Sequence, residues 1–158
     1  MDLFDPPYKY VIDTSAIIDL KNNYPPNVFK NTVWRDIEKN FKNRAIISVR
    51  EVYLEIKRGS DYLANWIDNY KECFLYPDSD ECETVRNLQE EYEFFVEKDK
   101  DGPHADPWII ACAMKYNLTI IQHEQLKNNK QKLPYIAQLK GIQYIRIPDL
   151  FQLEKFEY

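Results

Sequence analysis

The chain has 158 residues, of which 44% are hydrophobic and 30% charged, with a net charge of −5. That length buries a proper core in one domain, and a 15% aromatic share excludes disorder over any long span. The acidic balance argues against a general nucleic-acid coat protein, and no apolar run approaches the length of a membrane span. Residues 1–9 read as a short leader, broken by Asp5-Pro6-Pro7 and lacking the basic region and apolar core of a signal peptide. Tyr10-Val11-Ile12 is a short buried strand, and Asp13 stands at its carboxyl end. A short helix follows from Thr14 to Leu20, then a loop through Pro25-Pro26. Val33, Trp34, Ile37 and Phe41 recur at helical spacing, and Ala45-Ile46-Ile47 is the second strand.

Ser48-Val49-Arg50-Glu51 has the spacing of a capping box. Behind it Val49, Val52, Tyr53 and Ile56 line one helical face, and Gly59 is expected as a left-handed stop. A helix over 61–70 follows, then Cys73 to Pro77 as a minor strand or buried connector. Asp78 caps a long helix whose apolar stripe is Val85, Leu88, Tyr92, Phe95 and Val96, broken at Asp99 to Pro103. Asp106 is expected to cap the next helix, with Pro107 at its first position. That helix is apolar on nearly every side (Trp108 to Met114) and should be central. Leu118 to Ile121 is a strand, left through Gln122-His123-Glu124. A basic loop through Lys127, a helix near Pro134 to Lys140, a strand from Tyr144 to Ile147 and a C-terminal turn over 148–158 complete the chain. Short apolar strands separated by helices predict a three-layer α/β/α domain with a mainly parallel central sheet, its core over about 10–147.

Charge is unevenly spread. Asp78 to Asp101 carries ten acids and three bases, a solvated helix face; Lys30 to Arg58 and Lys127 to Lys155 each carry a net +4. Cys73, Cys82 and Cys112 are odd in number and scattered, which fits reduced, mostly structural thiols in a cytoplasmic protein.

Four acids occupy positions such a sheet makes functional. Asp13 ends the first strand, Glu124 lies just past a later one, and Asp106 opens a buried helix. Glu55 lies one turn beyond Glu51 on the helix leaving the second strand. Carboxylates converging on one pocket raise each other's pKa unless cations balance them, and hard divalent ions such as Mg²⁺ and Mn²⁺ prefer oxygen ligands. Such ions would hold a phosphodiester, activate a water and stabilise the leaving oxygen. A cap carboxylate at the positive end of a helix also stays ionised, so Asp106 can serve in both roles.

Asp13-Thr14-Ser15, Glu55 within Glu51 to Ile56, Ala105-Asp106-Pro107-Trp108 with its apolar continuation, and Ile120 to Glu124 occur in an order that resembles the PIN-domain nucleases. The resemblance is greatest to the VapC-like branch and to a subgroup with an Ala-Asp-Pro-Trp helix start, and it extends from Tyr10 to Ile147. It implies a Mg²⁺- or Mn²⁺-dependent endoribonuclease with an RNA substrate, often the toxin partner of an antitoxin protein and often a homodimer. By position it makes Asp13, Glu55, Asp106 and Glu124 the catalytic, metal-ligating acids, and Ser15 the small polar residue that hydrogen-bonds the first Asp. Thr14 and Gln122 are grouped with Ser15 as supports for the acids. The last motif departs from the common Thr or Ser with Asp two residues on, having Gln122 and Glu124 instead.

Other readings stand beside this one. Asp13 is also the residue type of a turn or helix cap, and Glu55 and Glu124 are also readable as exposed acids. Asp19 is expected at the surface, and His104 and His123 as loop residues that at most neighbour the site. Glu97, Asp99 and Asp101 before Gly102 imitate a calcium loop, but Trp108 holds its twelfth position. Ser15 and Ser48 lack a partnered His for a nucleophilic role. Arg50, Lys57 and Arg58 flank the Glu55 helix and read as solvated charges able to meet phosphates. A phosphohydrolase using Asp13 as nucleophile fits poorly with Ser15 two residues on. The competing function is a catalytically silent PIN-like module that binds RNA or protein.

Overall fold

Tyr10, Val11 and Ile12 form β1 (Tyr10–Ile12), which is buried along its whole length and becomes the middle strand of the sheet. The computed structural model describes residues 7–59, 61–92, 105–124 and 133–158. After β1 come β2 (Ile46–Val49), β3 (Phe74–Leu75), β4 (Thr119–Ile121) and β5 (Tyr144–Ile145), joined in the order β3-β2-β1-β4-β5. Every pairing is parallel; Val11 lies beside Ile47 on one side and Ile120 on the other. Strands that are parallel and apolar throughout need helices on both faces, and the helices between them supply that cover.

The helices are α1 (Thr14–Asn23), α2 (Pro26–Phe29), α3 (Arg35–Lys42), α4 (Arg50–Lys57), α5 (Asp61–Trp66), α6 (Ser79–Glu91), α7 (Asp106–Tyr116), α8 (Leu133–Leu139) and α9 (Ile147–Glu154). A π-helical turn over Lys30–Trp34 joins α2 to α3, and a 3₁₀ turn over Ile67–Cys73 continues α5. The apolar helix expected to be central is α7: it packs against β1, β2 and β4, and α6 packs on it. Ile109, Ile110, Ala111, Cys112 and Ala113 are all buried there. Elsewhere α3 and the 3₁₀ turn pack against β2 around an aromatic cluster. Its centre is Phe41, fully buried, with ring centroids 5.7 Å from Trp66, 5.5 Å from Tyr70 and 6.0 Å from Phe74.

Several boundaries differ from the sequence reading. Ser48 belongs to β2 and is no helix cap: its Oγ donates to the Ile12 carbonyl at 2.5 Å, so the hydroxyl is used across the sheet. With that hydroxyl engaged, α4 starts behind Val49 without a side-chain cap, and Glu51 is no capping-box partner. Gly59 is not left-handed; among the described residues the positive φ values fall at Arg44, Asn117, Gly141 and Lys155. Asp78 does cap α6, accepting from the Glu81 amide at 2.9 Å. The expected C-terminal turn is instead α9, because Ile147, Leu150 and Phe151 sit at helical spacing and are buried. Ile147 therefore opens a helix rather than ending β5. Phe95 and Val96, the Asp99 to Pro103 break, the loop carrying Glu97, Asp99 and Asp101, His104 and Lys127 lie outside the described residues.

Phe41→Ala would remove the ring on which three others pack. It is expected to cost about 3–5 kcal/mol of unfolding free energy, read from urea denaturation, and a loss below about 1 kcal/mol would contradict the packing described.

Candidate functional site at the carboxyl edge of the sheet

A sheet ordered β3-β2-β1-β4-β5 reverses its direction of growth between β1 and β4. Open α/β sheets place ligands outside the carboxyl ends of the strands at such a switch point. Asp13 stands there. Its amide donates to the Ile121 carbonyl at 2.9 Å, extending the β1–β4 ladder, and its own carbonyl accepts from Ala16 and Ile17 as α1 begins. Both main-chain groups are thus committed, and the side chain, 4% exposed, is held against the end of the sheet.

Ser15 fixes that carboxylate. Its Oγ donates to Asp13 Oδ2 at 2.8 Å and accepts from the His123 amide at 3.1 Å, joining the residues that leave β1 and β4. Glu55 reaches the same corner from α4. Thr14 Oγ1 donates to Glu55 Oε2 at 2.5 Å, and the Ala105 amide donates to Oε1 at 3.1 Å. One carboxylate therefore ties the first residue of α1 to the residue just ahead of Asp106. Because Ala105 is already helical (φ −75°, ψ −27°), Asp106 is the first residue of α7 and not its cap. It still stands in the first turn, where the helix dipole favours a negative charge. Glu124 follows β4 by three residues, and its Oε2 accepts from the Leu133 amide at 3.4 Å.

The electrostatics bind these four acids into one neighbourhood. The Asp13 pKa lies well above its ordinary value of 3.8, first because burial penalises the charge and next because of the Asp106 charge. The Ser15 hydrogen bond opposes the rise, while Glu124 and Glu55 add to it. Residues 55, 106 and 124 thus all act on the Asp13 carboxyl group although they are far apart in the chain. Among the described residues, no three His, Cys, Asp or Glu side chains close into a ready cation cage. Gln122 is 1% exposed, with its amide on the Ile145 carbonyl and its buried Oε1 unpaired among the described residues. It lies inside the fold and presents no group to a ligand from the surface.

Two residues at this edge escaped the sequence reading. Asp19, expected at the surface, is only 7% exposed. α9 packs on α1, Asn23 one turn on donates to Asp19 Oδ1, and Oδ2 lies 3.3 Å from His123 Nδ1. Arg146 leaves β5 as Asp13 leaves β1, and its Nη2 donates to the same His123 nitrogen at 3.1 Å, since a guanidinium can only donate. The sequence reading ran the last strand to Ile147 and so put Arg146 inside it; with β5 ending at Ile145, Arg146 stands where Asp13 does. No helix among the described residues is long and apolar enough to cross a membrane.

A family model described as a domain of unknown function, DUF4411, matches residues 10–158, which takes in every residue of this site. The chain belongs to the DUF4411 family. A search of curated proteins returns no match to this DUF4411 chain. Solved structures that share its fold include two VapBC complexes. VapBC-1 from nontypeable Haemophilus influenzae is 18% identical at a TM-score of 0.52, covering 87% of this chain and 96% of that one. VapBC2 from Rickettsia felis, bound to a DNA fragment from their promoter, is 16% identical at a TM-score of 0.52, covering 87% and 97%. The DUF4411 chain has the fold of VapC-like PIN domains, a parallel five-stranded sheet between helical layers.

Asp13 disfavours the folded state as it ionises. The native state keeps its proton above pH 3.8 while the unfolded chain loses it, so stability falls as pH rises through the window that opens there. Asp13→Asn, which still accepts from Ser15, is expected to raise the melting midpoint in chelator by about 3 °C at neutral pH, with little gain below pH 3.8. Melts across pH check this, and a midpoint lowered at neutral pH would contradict the placement of the carboxylate.

Proposed function

We propose that this chain is a metal-dependent endoribonuclease that hydrolyses RNA phosphodiester bonds. The observation that carries the reading is that Asp13, buried at the switch point, feels Asp106, Glu124 and Glu55 together. Such an oxygen-only donor set suits a hard cation. Mg²⁺ in particular keeps several waters and needs only one or two protein carboxylates beside substrate phosphate, so a ready cage of three side chains is not required. In this reading Asp13, Asp106, Glu55 and Glu124 would hold the cation, and of the other three charges Asp13 feels that of Asp106 most. When bound, the ion lowers the pKa of a water and neutralises charge on the phosphate. Ser15 holds the Asp13 carboxylate in place at the sheet end. Glu55, through Thr14 and Ala105, holds the starts of α1 and α7 at a fixed separation.

The likeness to two VapBC structures supports a further step, that this protein is a toxin with an antitoxin partner. A second reading, a silent module that binds RNA or protein without cleaving, is favoured by Glu55, both of whose oxygens already have partners. Purified protein is expected to cut RNA with Mg²⁺ or Mn²⁺ and to stop on chelation. Asp13→Asn and Asp106→Asn should each lower the rate by more than about 100-fold while folding normally. Undiminished cleavage by either variant would overturn the nuclease reading. Calorimetry separates the two readings, since a nuclease should take up Mn²⁺ at millimolar concentration and lose that uptake in Asp13→Asn.

A further inference from the structure

The edge that carries Asp13 is not uniformly acidic. In strand order, the residues leaving it are Tyr76 after β3, Arg50 after β2, Asp13 after β1, the segment 122–124 after β4 and Arg146 after β5. Negative charge occupies the middle and a guanidinium stands on either side. Arg146 is engaged with His123, but Arg50 is placed differently. Its guanidinium carbon lies 4.6 Å from the Tyr53 ring centroid and 5.2 Å from that of Tyr76. Among the described residues no carboxylate forms an ion pair with it, although the Glu51 carboxyl feels its charge, and Lys71 adds a second cation 5.7 Å from the Tyr53 ring. Tyr76 is 71% exposed, an unusual setting for a large ring next to a held arginine.

A guanidinium stacked on rings keeps its in-plane N–H fork free, and that fork matches the oxygens of a phosphate. An exposed aromatic ring accepts the flat face of any unpaired base. From β3 to β1 is two strand spacings, about 10 Å, which puts both groups within a nucleotide or two of Asp13. A duplex would keep its bases stacked on one another and unavailable to Tyr76, whereas a single strand presents them.

We propose that Arg50, Tyr53 and Tyr76 form a nucleotide-binding subsite on the β2–β3 side of the acids. Tyr76 stacks a base of single-stranded RNA, and Arg50, oriented by Tyr53, holds a backbone phosphate beside the bond to be cut. The inference rests on the nuclease reading for the identity of the strand, but its test does not need cleavage.

The test uses the Asp13→Asn protein and a fluorescent single-stranded oligoribonucleotide of about ten uridines, with binding read by anisotropy over a salt series. Tyr76→Ala is expected to weaken binding about tenfold, whereas Tyr76→Phe, which keeps the ring, binds like the parent. Arg50→Gln should weaken binding and reduce the slope of log affinity against log salt by about 0.7, the value for one phosphate contact on a single strand. A base-paired hairpin of the same length should bind more weakly than the single strand. Unchanged binding in Tyr76→Ala and Arg50→Gln would overturn the subsite, as would no binding by the parent protein or equal loss in Tyr76→Phe and Tyr76→Ala. Cleavage by otherwise wild-type protein is scored separately. If it proceeds with an unaltered KM in Arg50→Gln, the subsite fails and the nuclease reading survives; if RNA binds through Tyr76 but is never cut, the reverse holds.

Discussion

The Ser15 hydroxyl, donating to Asp13 and accepting from the His123 amide, closes the gap between two strands at the one place where the sheet turns from growing one way to growing the other. Parallel strands diverge beyond their carboxyl ends because their connections leave for opposite faces, and a crevice opens there. In this chain the crevice is bounded by short bonds: Asp13 to the Ile121 carbonyl, Ser48 to the Ile12 carbonyl, and Glu55 to both Thr14 and Ala105. Each uses a side chain or amide from a different element. The position of these acids therefore depends on elements distant in the chain, and no local segment could form the site alone.

The arrangement works against stability. A carboxyl group nine-tenths or more buried and surrounded by like charge is disfavoured in its ionised form, and an apolar substitute in such a place is commonly tolerated or stabilising. A surrounding structure that over-determines Asp13, with both of its backbone groups and one side-chain oxygen engaged, is what holds it there. Stability is supplied elsewhere, by the aromatic cluster around Phe41 and by α7, whose buried residues run from Pro107 to Ala113 almost without interruption.

The layered parallel architecture was legible because apolar runs such as Tyr10-Val11-Ile12 and Thr119-Ile120-Ile121 have one physical use, burial on both faces. Asp13 was legible for a related reason, since a carboxylate directly after such a run stands at the strand end. What misled was chemistry with more than one outlet. Ser48 and Glu51 have capping-box spacing, yet a serine hydroxyl also suits a neighbouring strand's carbonyl, and the sheet took it. Gly59 has the right position for a left-handed stop, but Arg58 ends the helix in right-handed geometry and leaves the glycine no such duty. Asp19 looked like a surface acid because His123, whose ring faces it, and the helix that packs on α1 both come from much later in the chain. The last strand was legible too, at Tyr144, and pairs with Ile120; what the sequence did not show is that it stops at Ile145 and that Ile147 opens a further helix.

That last strand has a consequence for the molecule's behaviour in solution. β5 is two residues long, yet it covers the backbone of β4, the strand that leads into Gln122 and Glu124. Without it, the Ile120 and Gln122 amides would lose the carbonyls of Gln143 and Ile145 and face outward as an unpaired apolar edge. Exposed edges of that kind template pairing with other chains. Two residues of β5 thus keep the backbone of β4 from presenting an open edge to another chain.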